Sequence, residues 1–465
     1  MDNAVKNIIG KDLTLSNLFE DNRSRIEQRS SPVMNRIRDE AFDAFNELGI
    51  PTNKVENYKY TNLQPLFNGE FHLSTEPGLL TQDIEEVFSC DVDALDSFTI
   101  FLVNGWYYTR NNPDELPEGV TVGSLARLAA DSPGFVEKYY GLRAPHLSDG
   151  VVAFNSMFAQ DGFFIHVSKG VTVEKPIQIV NILMSEEALM TNQRNLIVLE
   201  DNSEARVMVC DHTLSSDKFV MNNVTEAYVG RDARFDYYNL QNQHNATTQV
   251  SGFYLEQLEN SRVQTNNLTL HAGVARNNIE LKLAGSHAEG YAYGLYLLDK
   301  NQHVDNFSYI DHAVPECFSD ELFKGVLDDH STGAFTGKIM VRPDAQQTNA
   351  YQSNNNLLLT NDAKINTKPQ LEIYADDVKC SHGATVGQLD DQAMFYLRTR
   401  GINKEEATIL LMYAFAYEVI EKIRVEPLRE QIRDLVEKRF RGELDKCHSC
   451  VVCGQKGAGT GITCL

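Results

Sequence analysis

Two hydrophobic periodicities alternate along the chain. From Ser31-Pro32 onward, Ile37, Ala41, Phe42, Ala44, Phe45 and Leu48 recur at helical spacing. This predicts a helix with Ser31 at the N-cap and Pro32 at its first position, stopped by Gly49 and Pro51. A more polar stretch follows to about Asp96. From residue 97 to residue 374 the text becomes short apolar runs punctuated by Gly, Asn and Asp, such as 163–167, 177–180, 196–199, 205–209 and 280–283. Each run reads as a strand, and no helix of any length is expected among them. Helical spacing returns after Gly387. One helix is predicted from Asp390 to Arg400. A second starts at Asn403, with Glu406 as its capping-box partner and Ala407, Leu410, Leu411, Ala414 and Phe415 on one face. A third starts near Pro427 and carries Leu428, Ile432, Leu435, Val436 and Phe440.

Within the strand region a polar turn followed by a strand start recurs at Ala205-Arg206-Val207, Ala233-Arg234-Phe235, Arg262-Val263 and Glu289-Gly290-Tyr291, roughly every 28 residues. So long a run of strand and turn exceeds an ordinary sandwich and predicts a β-helix, in which each coil hydrogen-bonds to the one below. Its open ends need covering, and the helical segments on either side are the expected caps. The division predicted is an N-terminal helical domain (1–96), a β-helix core (97–386), a C-terminal helical domain (387–442) and a Cys-rich tail (443–465).

Composition narrows the function. The 465 residues carry a formal net charge of −23, which argues against nucleic acid or anionic lipid as a partner, since both reward clustered Lys and Arg. The most apolar stretch, 409–420, contains Tyr413, Tyr417 and Glu418, and nothing approaches the length of a spanning helix. Residues 1–13 hold no apolar run after a basic segment, so no secretory signal is expected, and the predicted location is cytoplasmic. In that setting the eight cysteines do not predict a disulfide framework. Cys447, Cys450, Cys453 and Cys464 crowd near the C-terminus and raise thiol or metal chemistry instead.

The densest run of unusual residues is Tyr374-Ala-Asp-Asp-Val-Lys-Cys-Ser-His-Gly-Ala-Thr-Val-Gly387. If it is extended, Cys380 and His382 share one face, with Lys379 and Ser381 on the other. A thiolate and an imidazole suit iron, zinc or a sulfur-bearing intermediate, but two ligands do not close a tetrahedral site, which favours a site shared across an interface.

The whole run 371–402, together with Ala345-Gln-Gln-Thr-Asn-Ala-Tyr-Gln352 and Asn356-Leu-Leu-Leu359, resembles the signature of the SufB/SufD family of iron-sulfur cluster assembly proteins. Leu48-Gly49-Ile50-Pro51-Thr52 and Glu56-Asn57-Tyr58-Lys59-Tyr60-Thr61 are similar to the family's N-terminal text, with Tyr58 where Trp is usual. The resemblance covers about residues 30 to 442. Cys380-Ser381-His382-Gly383-Ala384 stands where the SufB branch has Cys-Glu-His-Glu-Ala, so the chain resembles the SufD branch.

The resemblance implies a right-handed parallel β-helix that pairs with SufB, C-terminal helices that bind the SufC ATPase, and an assembly scaffold in place of an enzyme. It implies that His382, with Cys380 as the less certain member, helps hold iron or a transient cluster shared with SufB. It also implies a reduced flavin in the complex and leaves a homodimer open where SufB is absent.

No nucleotide site is expected on this chain, because the glycine-rich stretch 454–461 lacks the Gly-Lys-Ser/Thr ending. The tail Cys447-His448-Ser449-Cys450-Val451-Val452-Cys453, with Cys464 or His448 as a fourth donor, reads either as a metal or persulfide site or as a flexible tail. Asp311-His312 with Glu316-Cys317 is the next cluster, and its expected role is to satisfy turns and neighbouring coils, as for His166 and His212. Trp106 is expected to anchor core. Two rival functions remain. One is a structural partner without a ligand. The other is a carbohydrate-active β-helix enzyme, which would need paired carboxylates or calcium and usually an export signal.

Overall fold

A computed structural model describes residues 15–78, 92, 95–108, 116–215 and 217–444. The chain winds into a parallel β-solenoid of about 7 turns flanked by N- and C-terminal helices. Successive strands alternate between two sheets. One runs from Phe163–Val167 through Leu189–Leu199 to Lys364–Ile373, the other from Ile177–Leu183 through Glu204–Thr213 to Val378–Gly387. Stacked partners are one coil apart, as in Asn239 and Asn267, which are 28 residues apart.

The recurrent turn has a common geometry. Asn202, Asp232, Asn260, His287, Glu316 and Gln347 all lie in the left-handed region, with φ between 53° and 64°. Each is followed by a small buried residue: Ser203, Ala233, Ser261, Ala288, Cys317 and Thr348. A left-handed residue turns the chain sharply, and the small one lets the corner close on the coil below. The inward faces then stack into one apolar core that includes Ile179, Val207, Phe235, Leu255, Leu281, Phe323 and Ile339.

The strand region is not free of helices. Leu125–Asp131, Pro133–Val136 and Gly150–Phe158 interrupt it. All nine residues of Gly150–Phe158 are buried, so no polar stripe marks its period, and the run reads like a buried strand. The predicted N-terminal helix is broken into Pro32–Asn35 and Arg38–Leu48. Arg38 at the break is wholly buried, and its guanidinium donates to the carbonyls of Ser156, Met157 and Ala159, the orphan acceptors at the end of Gly150–Phe158. Leu15–Arg29, Arg38–Leu48 and Gly150–Phe158 cover the outer face of the first sheet at Met190, Val220 and Val250.

The C-terminal helices Asp391–Thr399, Lys404–Ile420 and Glu426–Phe440 start as predicted, with Asp390 and Asn403 as N-caps. Glu406, expected to complete a capping box, gives its carboxylate to a two-pronged pair with Arg441. The expectation that these helices cap the solenoid end is corrected. Ile409, Met412, Ala416, Leu428 and Ile432 pack on Leu240, Leu268, Tyr293, Leu295 and Leu322, along the outer face of the second sheet. Amphipathicity required a partner surface, and the apolar outer face supplied one beside the strands.

Among the described residues the two ends of the stack therefore differ. At the first end, antiparallel strands close the sheets, with Val120–Ser124 on Phe163–Val167 and Trp106–Tyr107 on Phe98–Val103. At the other, Lys364–Ile373 and Val378–Gly387 each have a neighbour on one side only.

Candidate functional site

The last coil carries the residues singled out in the sequence. In the ladder Val378–Gly387 lies on Thr348–Leu358, with Cys380 opposite Ala350, His382 opposite Gln352 and Ala384 opposite Asn354. Ala350, Gln352, Asn354 and Asn356 are all buried while Tyr351 is exposed, so this set faces inward. Cys380 and His382 consequently share the inward face at the mouth of the lumen, about 7 Å apart along the strand. Cys380 is half-buried against the end of the apolar core, and that burial lifts its thiol above the ordinary range, so it rests protonated. His382 is exposed.

Beneath the mouth the lumen is polar. Gln352 donates through Nε2 to Glu321, which is wholly buried and whose carboxyl is pushed up to about 7 by desolvation. Asn354 donates to the Tyr296 hydroxyl at 3.1 Å, and Asn356 donates to Asn354 at 2.8 Å. Deeper in, Gln193, Asn223, Asn239 and Asn277 border a cavity of about 40 Å³, room for about a water or two. The sequence reading missed Glu321, Gln352 and this inner lining. A signal was present, because Thr348–Leu358 sets Gln352, Asn354 and Asn356 two residues apart, on one face of a strand.

Residues 10–179 match the family model described as the SufBD protein N-terminal region, and residues 182–415 match the SufBD core domain of SUF system FeS cluster assembly. The chain belongs to the SufB/SufD family. It is 30% identical over 397 residues to the iron-sulfur cluster assembly protein SufD of Escherichia coli, covering 85% of this chain and 90% of that one. A SufBD family protein of Synechocystis is 28% identical over 415 residues, covering 86% and 90%. The chloroplastic protein ABCI7 of Arabidopsis thaliana is 27% identical over 441 residues, covering 91% and 90%. Family membership places the chain in iron-sulfur cluster assembly, among proteins that serve as assembly components.

The remaining candidates in this SufB/SufD member have other partners. Cys317 occupies the small-residue corner that Ala288 and Ser261 fill one and two coils earlier. Its Sγ lies 3.3 Å from the Gly285 carbonyl, and burial pushes its thiol up to about 11. Asp311 holds Arg342 through two contacts of 2.9 Å. Buried His312 sits 2.9 Å from the Ser319 hydroxyl, its pKa lowered to about 4 by desolvation. Glu316 meets His287 at 3.0 Å and His166 meets Glu200 at 3.0 Å, while His212 is buried. Half-buried Trp106 donates to Ser74 at 3.0 Å. Cys447, Cys450, Cys453 and Cys464, with His448, lie outside the described residues. No described helix is long and apolar enough to cross a membrane.

Proposed function

We propose that this chain is the SufD-type scaffold of a SUF assembly complex, pairing with SufB across its open coil so that a nascent cluster forms between the two, with His382 as this chain's ligand. The observation that carries the reading is the last coil itself. Two parallel strands end with one edge unpaired, and the inward-facing imidazole stands on one of those edges. An open parallel edge is a template for another strand, so a partner that extends the stack would bring its own donors against His382. A neutral imidazole binds iron yet exchanges more readily than a thiolate, which suits a scaffold that must release its cargo. Cys380, resting as a thiol, is the secondary candidate.

In the same reading the SufC ATPase docks on the C-terminal helices, where Phe395, Tyr396, Leu410 and Tyr417 remain exposed, and the complex works in the cytoplasm. The test is iron and acid-labile sulfide in the complex co-expressed with SufB and SufC, comparing the intact chain with His382→Ala after assembly is verified. Loss of cluster from an assembled complex is expected. Full retention would leave this chain a structural partner without a ligand of its own.

A further inference from the structure

An exposed imidazole on an edge strand can rotate, and a ligand that rotates holds metal weakly unless its second nitrogen is tied. We propose that Gln352 is the positioning residue of the mouth: its side-chain carbonyl accepts the ring N–H of His382 while the other ring nitrogen binds iron. This rests on the reading of His382 as a ligand.

Three features of the lumen support it. Gln352 is the ladder partner of His382 and faces the same way, so the two side chains stack one above the other. Gln352 is only 2% exposed, and its Oε1 is buried with no hydrogen-bond partner among the described residues, an acceptor left open in a place where an unmet acceptor is costly. The amide is also held in place. Its Nε2 donates to Glu321, and the opposite sheet presents Gly337, where a Cβ would stand 2.4 Å from Nε2 and 2.8 Å from Cδ. With Nε2 committed to Glu321, the carbonyl is the end of the amide that is left free. Gly337 is thus bare where the Gln352 amide crosses the lumen.

The choice of an amide has a chemical consequence. Metal-binding histidines commonly donate their second N–H to a carboxylate or a carbonyl, and a carboxylate makes the imidazole the more basic ligand. A neutral amide orients the ring without that gain, leaving a ligand that is directed but exchangeable.

The test uses the complex with SufB and SufC, titrated anaerobically with ferrous iron, for the intact chain, Gln352→Leu, Gly337→Ala and His382→Ala. Gln352→Leu is expected to raise the ferrous-iron dissociation constant by roughly 10- to 100-fold, the range seen when such outer partners are removed. Gly337→Ala, which displaces the amide and crowds Phe335 without removing the carbonyl, is expected to raise it less. A measurement on the unsubstituted chain requires no variant to fold. In the zinc-loaded complex with 15N-labelled histidine, the His382 ring N–H should be protected from exchange and should fix a single tautomer. Wild-type iron affinity in Gln352→Leu, or a freely exchanging ring N–H in the intact chain, overturns the role of Gln352. Wild-type affinity in His382→Ala instead overturns the ligand reading beneath it.

Discussion

Glu321 makes the polar lumen measurable without any cargo. Its carboxyl titrates near 4.5 in an exposed setting and is pushed up to about 7 in the fold, with burial as the leading cause and the nearby Asp320 charge a lesser one. Between those values the unfolded chain has released a proton that the folded chain retains. Stability contributed by the protonated group is therefore complete below about pH 4.5 and declines as pH rises through about 7. The gap of about 2.5 units, at about 1.4 kcal/mol each, corresponds to about 3 kcal/mol. Glu321→Gln keeps the shape and an acceptor for Gln352 while removing the ionisation. Glu280 on the outer face is likewise pushed up to about 7, so the wild-type pH profile contains both groups and only the difference between the two chains isolates Glu321. Urea unfolding midpoints from pH 5 to pH 8.5 provide the assay. The variant should lie within about 1 kcal/mol of the wild type near pH 5 and exceed it by about 3 kcal/mol near pH 8. Parallel curves would refute the reasoning, because they would mean that water reaches Glu321 and the lumen is not sealed beneath the mouth.

Arg276 and Asp305 form an ion pair at 2.7 Å with each side chain 1% exposed, and the guanidinium lies 4.4 Å from the Tyr58 ring centre. Arg276→Ala leaves Asp305 uncompensated and should destabilise the fold by about 3–5 kcal/mol, read as a lowered urea midpoint; a loss under 1 kcal/mol would contradict a sealed pair. With iodoacetamide and peptide mass mapping, Cys380 should react before Cys317, whose thiol is pushed up to about 11 and whose modification should follow global unfolding. Equal rates would show that the coil corner opens locally. If Cys447, Cys450, Cys453 and Cys464 hold metal, a chain ending at Gly442 loses it, and unchanged metal and sulfide content would end that assignment.

The solenoid was legible because its strands are apolar on both faces, the inner packed into the lumen and the outer under helices, so runs such as Ile177–Leu183 read as buried strand from any viewpoint. The turn repeat was visible for a related reason. Residues such as Asn202 and Asn260 tolerate the left-handed conformation that each corner needs. Period failed where burial was total, as in Gly150–Phe158, which has no polar side to show its pitch. Pattern also could not say where a legible helix docks. Lys404–Ile420 announced an apolar face, but end and flank of the solenoid were equally apolar until the outer residues Leu268 and Leu295 were placed.

Cys380 and His382 were legible as a pair on one face, whereas the residues beneath them were not. Gln352 and Glu321 are 31 residues apart and meet only once the coil register is fixed, and a strand rich in Asn and Gln reads as turn until its inward face is known. The same register argues for why chemistry gathers at the last coil. Inside the stack inward side chains are sandwiched between coils above and below, and polar ones meet their ladder neighbours, as Asn239 donates to Asn267. Among the described residues Val378–Gly387 has a coil below and none above, so its inward residues face whatever completes the stack. A ligand placed one coil deeper would be sealed in, and one placed on the outer face would compete with the docked helices. The terminal coil is the one position where a side chain can be oriented from beneath by Gln352 and still meet a partner from above.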